Sequence, residues 1–508
     1  MPALTAKGED IHFSLLDVLR RADELHAPLC TTPGEAVALI EYLLAICFAA
    51  EDYPASPDEW CTWVIEGHPF DKAVEWLADG APGDWDLFHR DTPLGQNSQL
   101  RCKMDVEGTG PAQLILERVG DYSQFFDHHH LEDPTPIPAA EAFRALLVQH
   151  VYGLAGRARL SGKWLGPKLT NLAAGRLQSR IRVVAQGNTL GETLRLNLYP
   201  AAGGEVGRFN HSWTSAIFSR RGFQTKPPGR VTSGPADLHS CLGRSVLLEP
   251  VTAANGKDVL VTRVLIGAGE ILELDPERDF EDAVSKQKVN GHGRPLWPSP
   301  TRALWRDAHA LYTAATKEEK GLFGRLRTLA ARTGDGLGGG SPYTLWAVGL
   351  LADKTLVTTW TDGYFPYAPS QEIELCWASQ HGSAVAERIA DGLERAAYAA
   401  WKIVYPNPKP ADRPAQQARF DARREFWPAA EQPFLYLLEE TALGAPAAQA
   451  LPDYTAELRL LAEDFLKHRL DSLPANDTGM RARARAEQRF REWLAAPGAP
   501  VELRGGSG

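Results

Sequence analysis

A run of histidines and carboxylates is the part of the sequence whose side chains could most directly bind a metal ion. It comprises Asp127, His128, His129 and His130, followed closely by Glu132 and Asp133. Imidazole and carboxylate groups are ligands for zinc and similar ions, so a metal-dependent nuclease using His128 to His130 is one hypothesis. Metal sites in proteins usually draw their ligands from separate elements, whereas these residues are adjacent. The favoured prediction is therefore that the run holds no metal.

Other catalytic signatures are absent from the sequence. It contains no Ser/His/Asp elbow, no paired-acid nuclease motif and no helicase motif. The glycine run at 334–340 lacks the lysine of a phosphate-binding loop. We therefore expect a chain that is not an enzyme and that uses no cofactor.

Positive charge is concentrated in a part of the chain that contains no acidic residue. Residues 142–191 lack Asp and Glu, although the whole chain of 508 residues has a formal net charge of −10. The cations in this interval are Arg144, Arg157, Arg159, Lys163, Lys168, Arg176, Arg180 and Arg182. Residues 206–236 and 283–306 are also free of acids. Such one-signed intervals need an anionic partner, such as nucleic acid, or an internal reason to exist.

The composition is that of a globular protein with several cores. Its apolar content of 44% and charged content of 23% are ordinary, and its length predicts two or three domains. The six cysteines are scattered without CxxC spacing, which indicates reduced thiols in a cytoplasmic protein. The N-terminus does not have a signal-peptide pattern. The apolar stretch at 36–50 is interrupted by Glu41 and is too short to span a bilayer, so no membrane association is expected.

Local signals predict the elements that must position these charges. Thr32 and Glu35 form a capping box, with Pro33 at the first position of a helix that has one apolar face. Pro138 begins a helix that leads into the first acid-free interval. Further predicted elements are strands at 114–119 and 180–185, a helix at 190–198 capped by Thr189, and a helix at 302–329.

Hairpins and a change of pattern near residue 369 complete the predicted architecture. One hairpin pairs 244–250 with 259–266, and a second pairs 343–349 with 355–360 around a turn at 350–354. The turn residues at 289–293 place nearby lysines on a projecting hairpin or loop. The predicted fold class is α+β, in which a mixed α/β domain at 1–368 precedes a four-helix bundle at 369–500 and a flexible tail at 501–508.

The order and spacing of several motifs resemble the CasA family, the large subunit of Cascade, which is the type I-E CRISPR surveillance complex. The motifs are the turn Phe125-Phe126-Asp127, the helix segment PAAEAFRALL at 138–147, the Gly/Arg loop after it, the segment VVAQGNTLGETLRLNL at 183–198, and the matches at 293–296, 301–307 and 434–438. The resemblance covers about residues 10–495.

The resemblance implies roles for particular residues. Phe125 and Asp127 would contact the 5′ end of the guide RNA, and Asp127 stands where family members often have asparagine. A glycine-rich loop would approach the minor groove of the protospacer-adjacent motif (PAM), and its candidate residues are Gly153, Gly156, Arg157, Arg159 and Lys163. Lys286 or Lys288 would be a lysine finger on the PAM. Lys354 would occupy the tip of a wedge that opens the duplex, a position where family members commonly have glutamine.

The resemblance also implies a function. The chain would be a non-enzymatic, DNA-binding subunit that recognises the PAM of double-stranded target DNA, promotes R-loop formation and recruits the helicase-nuclease for antiviral defence. Its partners would be the guide crRNA, the other Cascade subunits and that helicase-nuclease, in the cytoplasm. Two alternatives stay open besides a solvated loop at 153–168: the metal-dependent nuclease and a structural scaffold that binds only guide RNA.

Overall fold

Helices make up much of the structure. The computed structural model describes residues 2–5, 10–81, 83–118, 135–157, 171–178, 180–214, 229–273, 287–289, 292–294, 297–299, 302–317, 321–336, 341–353 and 356–504. The helices are α1 (Leu15–Arg20), α2 (Pro33–Ala49), α3 (Pro57–Glu66), α4 (Asp71–Ala78), α5 (Met104–Glu107), α6 (Ala139–Tyr152), α7 (Leu190–Asn197), α8 (Pro235–His239), α9 (Ala308–Lys317), α10 (Gly321–Thr333), α11 (Glu372–Val404), α12 (Arg413–Ala418), α13 (Arg423–Ala442), α14 (Ala447–Leu470), α15 (Asp477–Leu494) and α16 (Val501–Arg504).

The strands form small sheets. They are β1 (Pro2–Thr5), β2 (Asp10–His12), β3 (Leu25–Pro28), β4 (Ile137–Pro138), β5 (Gly156–Arg157), β6 (Asn171–Leu172), β7 (Ile181–Gln186), β8 (Arg244–Thr252), β9 (Val259–Ala268), β10 (Gln287–Val289), β11 (His292–Arg294), β12 (Tyr343–Asp353) and β13 (Leu356–Tyr367). Three sheets have three strands each, in the orders β2-β1-β3, β13-β12-β7 and β4-β9-β8, and the ladders β5-β6 and β10-β11 have two. Neighbouring strands run antiparallel in the pairs β1-β2, β1-β3, β4-β9, β5-β6, β7-β12, β8-β9 and β10-β11. Together with the helices, they confirm the predicted α+β class.

Contacts divide the chain into two compact units. The first unit comprises residues 1–302, 319–337 and 343–364, and the second comprises 303–318, 338–342 and 365–508. The predicted domain boundary at 368 stays a prediction. The predicted tail begins at residue 501, whereas Val501–Arg504 is helical because Leu503 is buried against the rest of the second unit.

The core of the first unit surrounds α2. The Thr32 side chain accepts a hydrogen bond from the Glu35 amide (3.2 Å), as the capping box predicted. The Glu35 carboxylate, however, accepts from the Thr31 amide rather than from that of Thr32 (2.9 Å). The predicted single apolar face was too narrow, because nearly the whole circumference of α2 is buried, including Glu41. A helix enclosed on all sides reads as a continuous apolar run rather than as an amphipathic one.

Several predicted elements are confirmed around this core. Residues 181–186 form β7, and the Thr189 side chain accepts from the Glu192 amide (3.1 Å) at the start of α7. The hairpin β8-β9 turns at Gly256, whose φ of +68° lies in the left-handed region that glycine tolerates. Asn255 Oδ1 accepts from the Lys257 and Asp258 amides in the same turn.

Three predictions of element type or length were wrong. The strand predicted at 114–119 is replaced by 3-10 turns, Pro111–Leu114 and Leu116–Arg118. The partners of β9 in this region are β4 and, by a bridge to Val264, Thr109. The single helix predicted at 302–329 is two helices, α9 and α10, because Gly321 has a φ of +81°, which a right-handed helix cannot continue through.

The third error concerns the second hairpin. The turn predicted at 350–354 begins too early, since β12 extends to Asp353. Leu350 and Leu351 are buried and pack as strand residues instead of forming the turn. Residues 354 and 355, which follow β12, lie outside the described residues.

The second unit is built on long helices. Within the described residues, α11, α13, α14 and α15 pack around buried side chains, as predicted for a bundle. Two glycines of α11 permit close packing: a Cβ on Gly382 would lie 2.9 Å from Leu437 Cδ2, and one on Gly392 would lie 2.9 Å from Phe490 Cδ2. None of the described helices is long and apolar enough to cross a membrane. The six cysteines, all within the described ranges, form no disulfide.

Candidate nucleic-acid interface

A short two-stranded stem joins the two ends of the predicted DNA-binding loop. Gly156 pairs with Leu172, and Arg157 pairs with Asn171, in the β5-β6 ladder. Two backbone hydrogen bonds then tie the returning chain to the end of α6. The Gly175 amide donates to the Gly153 carbonyl (2.7 Å). The stem therefore rests on a helix whose inner face is part of the core.

Leu177 completes this attachment, because its amide donates to the Val151 carbonyl of α6 (2.9 Å). Close backbone contact here requires glycine on the returning chain. A Cβ on Gly175 would lie 2.5 Å from the Val151 carbonyl oxygen and 2.7 Å from the Gly153 amide nitrogen. No side chain fits in that gap without moving the backbone.

Gly153 meets a buried arginine. A Cβ on Gly153 would lie 2.5 Å from the Gln149 carbonyl oxygen and 2.6 Å from Nη2 of Arg244. That guanidinium is fixed in place because it donates from Nη2 to the Leu154 carbonyl (2.8 Å) and from Nη1 to the Gly243 carbonyl (2.8 Å). Burial lowers the pKa of Arg244 to about 10. Gly153 thus has an internal packing reason to be glycine.

The structure describes only part of the predicted site. Gly153, Gly156 and the backbone of Arg157 form the base of the loop, and Lys288 lies on β10, where it pairs with Gly293 of β11. The hairpin predicted around 289–293 is thereby confirmed. The predicted site residues that lie outside the described residues are Phe125, Asp127, Arg159, Lys163, Lys286 and Lys354, together with the run His128 to His130.

Several cations of the first acid-free interval have internal partners. Arg144 Nε donates to Glu35 of α2 (3.2 Å). Arg176 donates to Oε2 of Glu41, and Arg182 Nε donates to Oε1 of the same carboxylate (2.7 Å). Two carboxylates that lie more than 100 positions earlier in the chain therefore engage these three arginines inside the protein.

Glu41 collects a third basic group. The Nδ1 atom of His239, at the end of α8, lies within hydrogen-bonding distance of Glu41 Oε2. Burial by itself would raise the pKa of Glu41, but the charges of Arg176, His239 and Arg182 hold it well below the usual range for a carboxyl group. The carboxylate is 1% exposed and stays ionised inside the protein.

The second acid-free interval has a similar internal anchor. Arg230 forms two hydrogen bonds with Asp237 of α8, at 2.6 and 2.7 Å. It forms two more with Glu270, at 2.8 and 3.0 Å. Although burial alone would lower it, these hydrogen bonds raise the pKa of Arg230, so the guanidinium stays charged. The adjoining residues 215–228, with Arg220, Arg221 and Lys226, lie outside the described residues.

Sequence reasoning missed the buried carboxylates that organise these anchors, which are Glu41, Asp237 and Glu270. One signal was present for Glu41, since it is a lone acid within an otherwise apolar stretch. A buried carboxylate must be paired, so its position predicts an internal cation. No local signal identified Arg176 or Arg182 as that cation, because they are 135 and 141 residues away.

A metal centre finds no support among the described residues. Across the described ranges, no group of three or more His, Cys, Asp and Glu side chains could hold a metal ion. The histidine run lies outside those ranges, so the nuclease hypothesis is not addressed by this observation.

Comparison with solved structures identifies the class of fold. The CasA (Cse1) of Thermus thermophilus matches with a TM-score of 0.76 and 20% identity over 97% of this chain and 97% of the other. Thermobifida fusca Cse1 matches with a TM-score of 0.74 and 20% identity over 99% and 96%. A chain of a CRISPR RNA-guided surveillance complex matches with a TM-score of 0.67 and 20% identity over 96% and 97%. The fold is therefore the one shared by CasA and Cse1 chains.

The sequence places the chain within that class. The family profile described as CRISPR-associated protein Cse1 matches residues 1–465. The chain belongs to the Cse1 family of CRISPR-associated proteins. No curated protein matches the sequence.

Proposed function

We propose that this chain is the DNA-binding large subunit of a type I-E Cascade effector complex. It recognises the PAM of double-stranded target DNA, promotes R-loop formation and recruits the helicase-nuclease, without a catalytic site of its own. Membership of the Cse1 family supports this proposal, as does the likeness to a chain of an RNA-guided surveillance complex. In such complexes base pairing with the guide reads the target sequence, and protein reads the PAM.

The β5-β6 stem is the observation that carries the proposal. It brings together the two ends of residues 158–170, which contain Arg159, Lys163 and Lys168 and no acidic residue. Arg144, Arg176 and Arg182 of the same interval are engaged by Glu35 and Glu41 instead. A segment that carries only positive charges and is held at both ends by a stem is suited to bind the phosphates of a duplex.

The other predicted contacts belong to the same proposal. Phe125 and Asp127 contact the 5′ end of the guide RNA, and Lys286 or Lys288 reaches the PAM. Residues 1–368 carry these contacts, and the helical bundle contacts neighbouring Cascade subunits and the displaced strand. The complex acts in the cytoplasm.

The decisive experiment removes charge from the loop in the assembled complex. Arg157→Ala, Arg159→Ala and Lys163→Ala together should weaken binding to target duplex. The log-log dependence of affinity on salt should become shallower by about one unit for each phosphate that the variant no longer neutralises. The matched control is Arg20→Ala, Arg90→Ala and Lys257→Ala, which removes the same charge from exposed positions elsewhere in the first unit.

The outcomes separate the proposal from its alternatives. Folding of the subunit and its assembly with guide RNA are measured first. A loop variant that assembles normally and keeps wild-type duplex affinity and salt slope would remove the loop from the DNA interface. Loss of guide RNA binding with unchanged duplex binding would favour the RNA scaffold. Gly156→Val should reduce discrimination between PAM and non-PAM duplexes while nonspecific binding persists, because a side chain hinders close approach of the backbone.

A further inference from the structure

Glu41 joins three elements that lie far apart in the sequence. Its carboxylate accepts from Arg176, which follows the β5-β6 stem, and from Arg182 of β7. Its third neighbour is His239 of α8. Arg182, His239 and the carboxylate are at most 1% exposed, and Arg176 is 3% exposed at its side chain. The group is thus a buried ionic cluster on the central helix of the first unit.

The position of Arg176 connects this cluster to the base of the β5-β6 stem. Arg176 lies between Gly175 and Leu177, whose amides make the two hydrogen bonds to the end of α6. The Arg176 side chain is 3% exposed and donates to Glu41 in the core. The base of the stem is therefore held both by backbone hydrogen bonds and by an ion pair.

A second buried carboxylate, Asp237, anchors the chain on both sides of residues 215–228. Asp237 accepts from Asn210 Nδ2 (2.9 Å) before residues 215–228 and from Arg230 after them. Asp237 and His239 lie on the same short helix, α8, two positions apart. The chain on both sides of 215–228 is consequently connected to Glu41 through α8.

We infer that Glu41 is a positioning residue that holds the base of the β5-β6 stem and α8 in one fixed arrangement, and that the PAM discrimination of the proposed function depends on this arrangement. The nucleic-acid part of this inference rests on the proposed function, whereas the positioning part does not. Buried ion pairs add little net stability compared with apolar residues, but they specify which elements meet. That specificity is the role assigned to Glu41.

The positioning part is tested by hydrogen exchange on the full chain without nucleic acid. Glu41→Gln keeps the shape of the side chain and removes the negative charge to which Arg176 and Arg182 donate. The amides of Gly175 and Leu177, and that of Ala236 at α8, should exchange about tenfold faster or more. Glu35→Gln is the matched control. Glu35 lies on the same helix as Glu41, but its ion pair is with Arg144 and not with a residue of the Glu41 cluster.

A double variant separates positioning from general destabilisation. Glu41→Gln with Arg176→Met removes one negative and one positive charge together, so the net charge of the cluster is that of the wild type. Folding stability should recover toward the wild-type value, and exchange at Ala236 should slow, while exchange at Gly175 stays fast because the anchor of the stem is missing. If Gly175 exchange returns to the wild-type rate in the double variant, the ion pair does not hold the stem and the inference is wrong. The double variant also provides the test if Glu41→Gln alone does not fold.

The nucleic-acid part is tested in the assembled complex with PAM and non-PAM duplexes. In the double variant, the ratio of affinities for PAM and non-PAM duplexes should fall by about tenfold or more. The Glu35→Gln complex should keep the wild-type ratio. Fast exchange combined with unchanged duplex binding would show that Glu41 positions the stem but that the stem does not bind DNA, which overturns the proposed function alone. Unchanged exchange at all three amides in both variants that lack the Glu41 charge would overturn the positioning role, whatever the DNA result.

Discussion

The guanidinium of Arg244 lies against Gly153, so close that a methyl group at residue 153 would fall 2.6 Å from Nη2. Arg244 is buried, and it bridges the carbonyls of Leu154 and Gly243. The start of the proposed DNA-binding loop is thus packed against the first residue of β8. Both Gly153 and Gly156 are predicted loop residues, but only Gly153 is packed against Arg244. A substitution at Gly153 is therefore tested by its effect on stability, and one at Gly156 by its effect on PAM discrimination.

Gly153→Ala should destabilise the protein. The added methyl group overlaps Arg244 and the Gln149 carbonyl, and overpacking of this kind typically costs about 1–3 kcal/mol. Chemical denaturation of the full chain measures the change in the free energy of unfolding. In an Arg244→Ala background the destabilisation caused by Gly153→Ala should be smaller, since part of the overlap is gone. Fully additive effects would contradict the contact between Gly153 and Arg244.

Acid should destabilise the protein through His150. This buried residue of α6 holds Gly95 through Nε2 (2.8 Å to the carbonyl oxygen) and accepts the Arg244 amide at Nδ1 (3.2 Å), so the ring is neutral. Burial lowers the pKa of His150 to about 4. The unfolded chain binds a proton near pH 6.5, so the free energy of unfolding decreases as the pH falls from about 6.5 toward 4.

The His150 contribution is isolated by comparing variants. Between pH 7.5 and pH 5 it should amount to about 2 kcal/mol, obtained from the two pKa values by linkage. His150→Gln retains a donor for Gly95 but does not titrate, so its stability should decrease less over this range. Parallel pH profiles for the two proteins would show that His150 does not titrate in this way.

Lys354 should act after docking on the PAM. Under the proposed function it stands at the tip of a hairpin wedge, although residue 354 itself lies outside the described residues. Lys354→Ala should impair opening of the duplex more than initial PAM binding, measured as a larger reduction in affinity for closed duplex than for a target with a pre-opened bubble. Lys257→Ala, at the exposed turn of the β8-β9 hairpin, is the control. Equal reductions on both targets would argue against a wedge.

Purified chain should not cut DNA in the presence of Mg²⁺, Mn²⁺ or Zn²⁺. This expectation follows from the absence of nuclease motifs in the sequence. The direct test compares the wild type with His128→Ala plus His129→Ala in a gel assay. Metal-dependent cleavage that disappears in the double variant would establish the nuclease alternative and displace the proposed binding function.

Local signals in the sequence predicted the local structure. The caps at Thr32 and Thr189 and the turn at Asn255 depend on residues within a few positions, and the structure confirms them. The strand predicted at 114–119 was wrong because strand formation depends on a pairing partner from elsewhere in the chain, which local sequence does not specify. The bundle was predictable because its helices are long and their apolar periodicity is regular.

The candidate site divides in the same way. Acid-free intervals are visible in the sequence, and so is the glycine content of the loop. The internal pairing of Arg144, Arg176 and Arg182 is not visible, because their acids lie on α2, in a separate part of the chain. Charge counting along the sequence therefore overestimated how much of the basic interval faces an external anion.

Because of the β5-β6 stem, the sequence between its two strands can be replaced without changing the core. Its two ends meet in a two-residue ladder, so the chain between them can change length with only a small change in loop-closure entropy. Insertions, deletions or sequences transplanted from relatives between residues 157 and 171 should therefore leave the core intact, provided that Gly153, Gly175 and Arg176 are retained. Under the proposed function, PAM preference would then be a property that can evolve or be engineered separately from folding.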